Sequence, residues 1–115
     1  MSENPYSACM AECNNCADAC DNCATACLAE DNVGMMQDCI RHDLDCAALC
    51  RLAAGYMARG SAHASEICTL CAQVCEVCAA ECAKHEHPHC QACAQACRRC
   101  AEECRKMIAY GRALG

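Results

Sequence analysis

The stretch CMAECNNCADACDNCATAC, residues 9–27, sets cysteine at Cys9, Cys13, Cys16, Cys20, Cys23 and Cys27, a strict alternation of four- and three-residue steps. Such steps return to one face of an α-helix and would scatter over both faces of a strand. The cadence recurs at Cys68, Cys71, Cys75, Cys78 and Cys82, and again at Cys90, Cys93, Cys97, Cys100 and Cys104. A sparser segment carries Cys39, Cys46 and Cys50, whose steps of seven and four still hold a single stripe. Four helices are expected, each with cysteine where a bundle normally carries leucine.

Short polar breaks separate the four segments. Glu30 to Gly34 ends the first and offers Asp31 or Asn32 as an N-cap for the second. Gly60 suits the C-terminus of the second helix, and Ser61 or Ser65 the start of the third. The run His85-Glu86-His87-Pro88 precedes the last helix, with Pro88 fitted to a first helical turn. Connections this short force antiparallel neighbours. The expectation is an all-α fold, an antiparallel up-down-up-down four-helix bundle with a cysteine-lined interior. It forms one domain over 1–115, with helices at about 4–30, 33–59, 62–84 and 88–112.

Composition places the cysteines inside. Alanine and cysteine supply 43 of the 64 hydrophobic residues, valine, isoleucine and leucine together twelve, and phenylalanine and tryptophan none. A core of large side chains cannot be assembled from this set, whereas a protonated cysteine packs as a small hydrophobe. Nineteen cysteines in a short chain ordinarily suggest a secreted disulfide scaffold. The opening Met1-Ser2-Glu3-Asn4-Pro5-Tyr6 has neither a basic start nor the apolar run of a secretory signal, so a cytoplasmic location with reduced thiols is expected. No apolar stretch approaches the ~20 residues of a membrane span. The net charge of −6 disfavours nucleic acid and anionic membranes as partners.

The stripes contain eight Cys-x-x-x-Cys pairs, from Cys9/Cys13 to Cys100/Cys104, and leave only Cys39, Cys68 and Cys90 outside them. Neighbours at i and i+4 have β-carbons ~5–6 Å apart, so two sulfurs can turn toward one ion between them. Thiolate-only ligation selects soft metals: Cu(I), Zn(II) or iron–sulfur clusters. Iron–sulfur clusters are disfavoured, because the consecutive Cys-x-x-Cys-x-x-Cys run followed by Cys-Pro is absent. Charge balance separates the other two. Four thiolates around Zn(II) leave a buried charge of about −2 per site, whereas near one Cu(I) per thiolate leaves almost none. Multiple Cu(I) ions, near one per cysteine, are the expected cofactor, with all nineteen cysteines as ligands.

Cysteine-striped helices of this kind, with repeated Cys-x-x-x-Cys on every segment, resemble the cytosolic copper storage proteins. The resemblance covers nearly the whole chain. It implies a four-helix bundle loaded with Cu(I) along its interior and a homotetramer of bundles.

Antiparallel topology sorts the remaining donors by end. Met35, Met36, His85 and His87 gather near the first and third connections, with His42 and Asp43 between Cys39 and Cys46. His42 and Asp43 lie equally close to the stripe, and sequence does not choose between them. Met36, His42, Asp43, His85 and His87 are therefore the additional candidate ligands at a mouth through which copper enters. His63 and His89 are expected on the surface. Met57 and Met107 are expected to plug the opposite end, with Tyr6 and Tyr110 as packing caps.

Ile67, Leu70, Val74 and Val77 form a further stripe on the third helix, and Ile40 and Leu44 point away from the second helix's cysteines. Self-association or padding within the bundle would cover them. The function expected is non-enzymatic storage and sequestration of Cu(I). The alternatives are a zinc or mixed soft-metal sink and a thiol redox protein, the latter disfavoured because one ligand type repeats along the chain instead of standing alone in a cleft.

Overall fold

A computed structural model describes residues 4–113, with side chains through residue 111. Helix α1 runs Ser7–Leu28, α2 Gln37–Ala58, α3 Ala64–Ala83 and α4 Pro88–Ala113, and a 3-10 turn over Val33–Met36 leads into α2. Each helix packs against two neighbours, α1 on α2 and α4, α3 on α2 and α4, while the backbones of the diagonal pairs stay apart. The packing is most extensive within the α1/α2 and α3/α4 hairpins. The bundle is a rod of 50 × 22 × 18 Å.

Local chemistry sets the helix ends. Gly60 at φ 61° leaves α2 in the left-handed region that glycine enters without strain. Its amide donates to the Met57 carbonyl at 3.0 Å and the Ser61 amide to the Tyr56 carbonyl at 3.0 Å, the paired bonds of a Schellman ending. Pro88 opens α4, where a missing amide hydrogen is no loss. Asn32 precedes the 3-10 turn without a side-chain cap, its carbonyl instead accepting the Met35 amide at 2.9 Å.

All nineteen cysteines are fully buried, with no accessible surface. Beside them lie alanines that follow a stripe cysteine directly, Ala17 and Ala24 on α1, Ala47 on α2, Ala72 and Ala79 on α3, Ala94 and Ala101 on α4. Small residues at this heptad spacing bring the helices close enough for their sulfurs to meet at the axis. The largest fully buried side chains are Met36, Met57 and Asp43, all on or beside α2. They complete its stripe. Met36, Cys39, Asp43, Cys46, Cys50, Ala53 and Met57 keep the three- and four-residue alternation through the segment that looked sparse.

Ion pairs tie the outside. The Arg51 guanidinium on α2 reaches Asp18 at 3.0 Å and Asp21 at 2.8 Å on α1, Arg99 of α4 pairs with Glu12 of α1, and Arg105 of α4 with Glu76 of α3. Solvent-exposed pairs add little stability but favour one helix register over its neighbours. The aliphatic stripe divides. Ile40, Ile67 and Val74 pack partly against the core, while Leu44, Leu52, Leu70 and Val77 stand about half exposed.

Candidate metal centre

Sulfur is continuous along the bundle axis. Across helices, Cys16 meets Cys97, Cys13 meets Cys100 and Cys39 meets Cys82, each at 3.5 Å, with Cys46/Cys75 and Cys20/Cys93 at 3.6 Å. Along helices, the i,i+4 pairs Cys23/Cys27 and Cys71/Cys75 lie 3.8 Å apart and Cys46/Cys50, Cys78/Cys82 and Cys93/Cys97 3.9 Å. A soft ion about 2.3 Å from each sulfur spans ligands about 4.0 Å apart when three-coordinate and about 3.8 Å when four-coordinate. The thiols therefore need little movement to receive metal.

Groups of four sulfurs lie within ligating reach of one another, and they share members. Cys16 and Cys46 belong both to a group with Cys50 and Cys75 and to one with Cys20 and Cys97, while Cys20 and Cys97 also join Cys78 and Cys93. Further groups are Cys13, Cys71, Cys100 and Cys104, and Cys23, Cys27, Cys39 and Cys90. Shared corners suit bridging thiolates. Separate Zn(II) sites of four cysteines each would compete for them. Charge argues the same way, since no lysine or arginine is buried among the described residues and the metal itself must neutralise the thiolates.

Asp43 is the one buried charged residue described. Its Oδ1 accepts from the thiols of Cys78, Cys82 and Cys93, each at 3.3 Å, and its Oδ2 from Cys39 at 3.9 Å. Burial, with the Cys93 thiol beside it, pushes the carboxyl up to about 9. Between the two residues that sequence left level, the structure turns Asp43 into the tube and leaves His42 at its half-buried edge. The signal was in the cadence: from Cys39, a four-residue step then a three-residue step reaches Cys46 through position 43.

At the end formed by the first and third connections, His89 faces the sulfurs. Its Nδ1 lies 3.5 Å from Cys90, 3.7 Å from Cys23 and 3.8 Å from Cys27, and its Nε2 lies 3.1 Å from a Glu30 carboxylate oxygen. With the Nε2 proton donated to Glu30, Nδ1 presents its lone pair to the thiols, the orientation that a carboxylate gives a metal-binding imidazole. The ring is 15% exposed, so the expected surface position of His89 is overturned. His87 stacks on it, centroids 5.2 Å apart, and its Nδ1 lies 3.6 Å from Glu30. His85 turns to Glu81 at 2.8 Å. Met36 lies fully buried at this end, while Met35 is exposed. His63 pairs with Glu66 on the surface. Burial, with Cys27 close by, raises the Cys90 thiol to about 11, and burial with Asp43 raises Cys39. A metal ion bound by these thiols would displace their protons.

The opposite end is capped by aromatic and aliphatic side chains. The Tyr6 and Tyr110 rings meet edge to face at 6.4 Å, and Met107 and Ile108 pack on the core below them. The Asn4 amide donates to the Met57 carbonyl at 3.2 Å. Inside, Cys9 and Cys104 stand 3.7 Å apart and the Cys68 thiol lies 3.6 Å from the Met57 sulfur.

A family model described as copper storage protein matches residues 2–109. Among curated proteins, the cysteine-rich protein YhjQ of Bacillus subtilis is 50% identical over 82 residues, covering 71% of this chain and 76% of that one. Among solved structures, a Cu(I)-bound copper storage protein superposes with a TM-score of 0.87 at 48% identity, over 90% of this chain and 97% of that one. The metal-free copper storage protein 3 of Bacillus subtilis does so with 0.83 at 48%, over 90% and 98%. A cytosolic copper storage protein of Streptomyces lividans carrying five coppers gives 0.88 at 40%, over 90% and 92%.

Proposed function

Because this chain belongs to the copper storage protein family, we propose that its interior is a Cu(I) store, filled along the axis by thiolates to near one ion per cysteine. The observation that carries the reading is the overlap of the four-sulfur groups around Cys16, Cys20, Cys46 and Cys97. Shared thiolates build a continuous copper–sulfur array and not a set of separate sites. The ligands are Cys9, Cys13, Cys16, Cys20, Cys23, Cys27, Cys39, Cys46, Cys50, Cys68, Cys71, Cys75, Cys78, Cys82, Cys90, Cys93, Cys97, Cys100 and Cys104, joined by Asp43 within the tube and His89 at the mouth. The protein acts in the cytoplasm, where thiols stay reduced, and binds without catalysis.

Copper enters at the His89 end, where an imidazole exchanges Cu(I) more readily than a cage of thiolates. His87, stacked on His89 and sharing Glu30, steadies that ring. The half-exposed Leu44, Leu52, Leu70 and Val77 supply apolar surface for a homotetramer of bundles.

Anaerobic titration of the reduced protein with Cu(I), and separately with Zn(II), against a chelator tests the store. Saturation near one Cu(I) per cysteine is expected. Four or five tightly held Zn(II) with poor copper retention would make it a zinc sink instead. Sedimentation at micromolar concentration tests assembly, a 12.3 kDa monomer counting against the tetramer.

A further inference from the structure

We propose that Met57 is a copper ligand: its thioether supplies the fourth sulfur of the last layer and terminates the copper–thiolate array at the sealed end. The inference rests on the copper storage reading and adds to the ligand set a residue for which the sequence favoured a plug.

The register carries the argument. In the last layer α1 contributes Cys9, α3 contributes Cys68 and α4 contributes Cys104, whereas the cysteines of α2 stop at Cys50. The next stripe positions on α2 are Ala53 and Met57, both without accessible surface. Met57 is the only sulfur that α2 offers there. Its Sδ accepts the Cys68 thiol at 3.6 Å, the same separation that links cysteine pairs deeper in the tube. Four helices thus bring four sulfurs to one layer, three as thiols and one as a thioether.

The chemistry explains why the fourth donor is neutral. In the middle of the array each ion draws on thiolates shared with ions above and below. An ion in the last layer has no layer beyond it to share with and is short of a donor. A further cysteine would add a charge beside Cys9, Cys68 and Cys104, which are already without accessible surface and, among the described residues, have no lysine or arginine buried with them. A thioether is soft, suits Cu(I) and adds no charge. The mouth shows the same solution with a different donor, since the His89 imidazole turns its Nδ1 to Cys23, Cys27 and Cys90. The Asn4 bond to the Met57 carbonyl holds the α2 terminus in place, so the thioether is positioned before metal arrives.

The test reads selenium directly. Protein made with selenomethionine is loaded anaerobically with Cu(I), and X-ray absorption is recorded at the selenium edge while bound copper is counted in the same sample. Copper is expected in the first shell of about one selenium in six, six being the number of methionines. That signal should vanish in Met57→Leu, which keeps volume and removes the donor, and should persist in Met36→Leu, whose methionine lies at the other end. In a chelator competition Met57→Leu should release one ion about tenfold more readily than the rest. Full copper binding with no selenium–copper signal, or with a signal unchanged by Met57→Leu, overturns the ligand assignment and leaves the store intact. If Met57→Leu does not fold, loss of the signal in Met36→Leu overturns it as well. Failure of the parent protein to retain copper near one ion per cysteine refutes the storage reading itself.

Discussion

The two ends of the sulfur tube are lined alike and finished differently. Around Cys23, Cys27 and Cys90 the closing groups are His89, His87 and Glu30, which are polar, titratable and partly open to solvent. Around Cys9, Cys68 and Cys104 they are Met57, Met107 and the Tyr6/Tyr110 pair, apolar and tied down by Asn4. Thiolates set how much copper the bundle holds. On the proposed reading, the end groups set where it passes. Affinity and access are thereby assigned to different residues, and each can be altered without the other.

The sharpest way to break that contrast is to remove thiols at each end in turn. Replacing Cys27 and Cys90 with alanine, or Cys9 and Cys104, should lower capacity by about two ions in either case. Only the mouth pair should slow loading, by tenfold or more, as followed by the ultraviolet copper–thiolate absorbance after rapid mixing. Equal slowing from the sealed end would mean that both ends admit copper. A smaller effect is expected from the imidazole: His89→Ala should slow loading several-fold and cost no more than one ion, and Glu30→Gln should reproduce part of the slowing by freeing the ring. Loading that is indifferent to His89 would move the entrance elsewhere.

Asp43 sharpens the comparison from the inside, because it sits one layer in from the mouth and has no buried charged counterpart at the other end among the described residues. Its carboxyl moves from 3.8 to about 9 on folding, so between these limits the folded, metal-free protein holds one more proton than the unfolded chain. Stability should then fall as pH rises through this window, by at most about 1.4 kcal/mol per pH unit from this group. Asp43→Asn should flatten the pH dependence of denaturant unfolding between pH 5 and 8, and an unchanged slope would show the carboxyl ionised in the fold. The smallest effect is expected at the cap. Tyr6→Ala should destabilise the protein by about 1–2 kcal/mol, through lost aromatic packing, and leave the loading rate alone. Faster loading in that variant would show that only the tyrosines keep the far end shut.

The bundle and its cysteine face were legible because one residue type marks every turn, and a helix permits only one face for steps of three and four. The same cadence contained Asp43, yet angular distance from the stripe left His42 level with it. The unbroken register decides, since a residue at position 42 would put two four-residue steps in succession before Cys50. His89 was illegible for another reason. It lies about 100° from Cys90 on the wheel, off the stripe. In the first turn of α4, however, no preceding turn lies above it, and helical side chains lean toward the N-terminus. The ring therefore folds over the open end of the tube, where Glu30 from the neighbouring connection fixes it. Periodicity reports on residues flanked by packed turns; at an end, what reaches inward depends on side-chain length and on the partner that holds it.

The alanines that flank the cysteines also make capacity a matter of length. Each heptad of a fully striped helix, about 10.5 Å of rod, carries two cysteines and their small neighbour, and nothing in that layer depends on the layers above or below except the sulfurs it shares. Lengthening all four helices by one heptad would add eight thiols without a new entrance or a new seal. Evolution or design can thus adjust how much metal one such chain holds by inserting or deleting repeats, much as a thermometer tube is recalibrated by its height, while the groups at either end stay as they are.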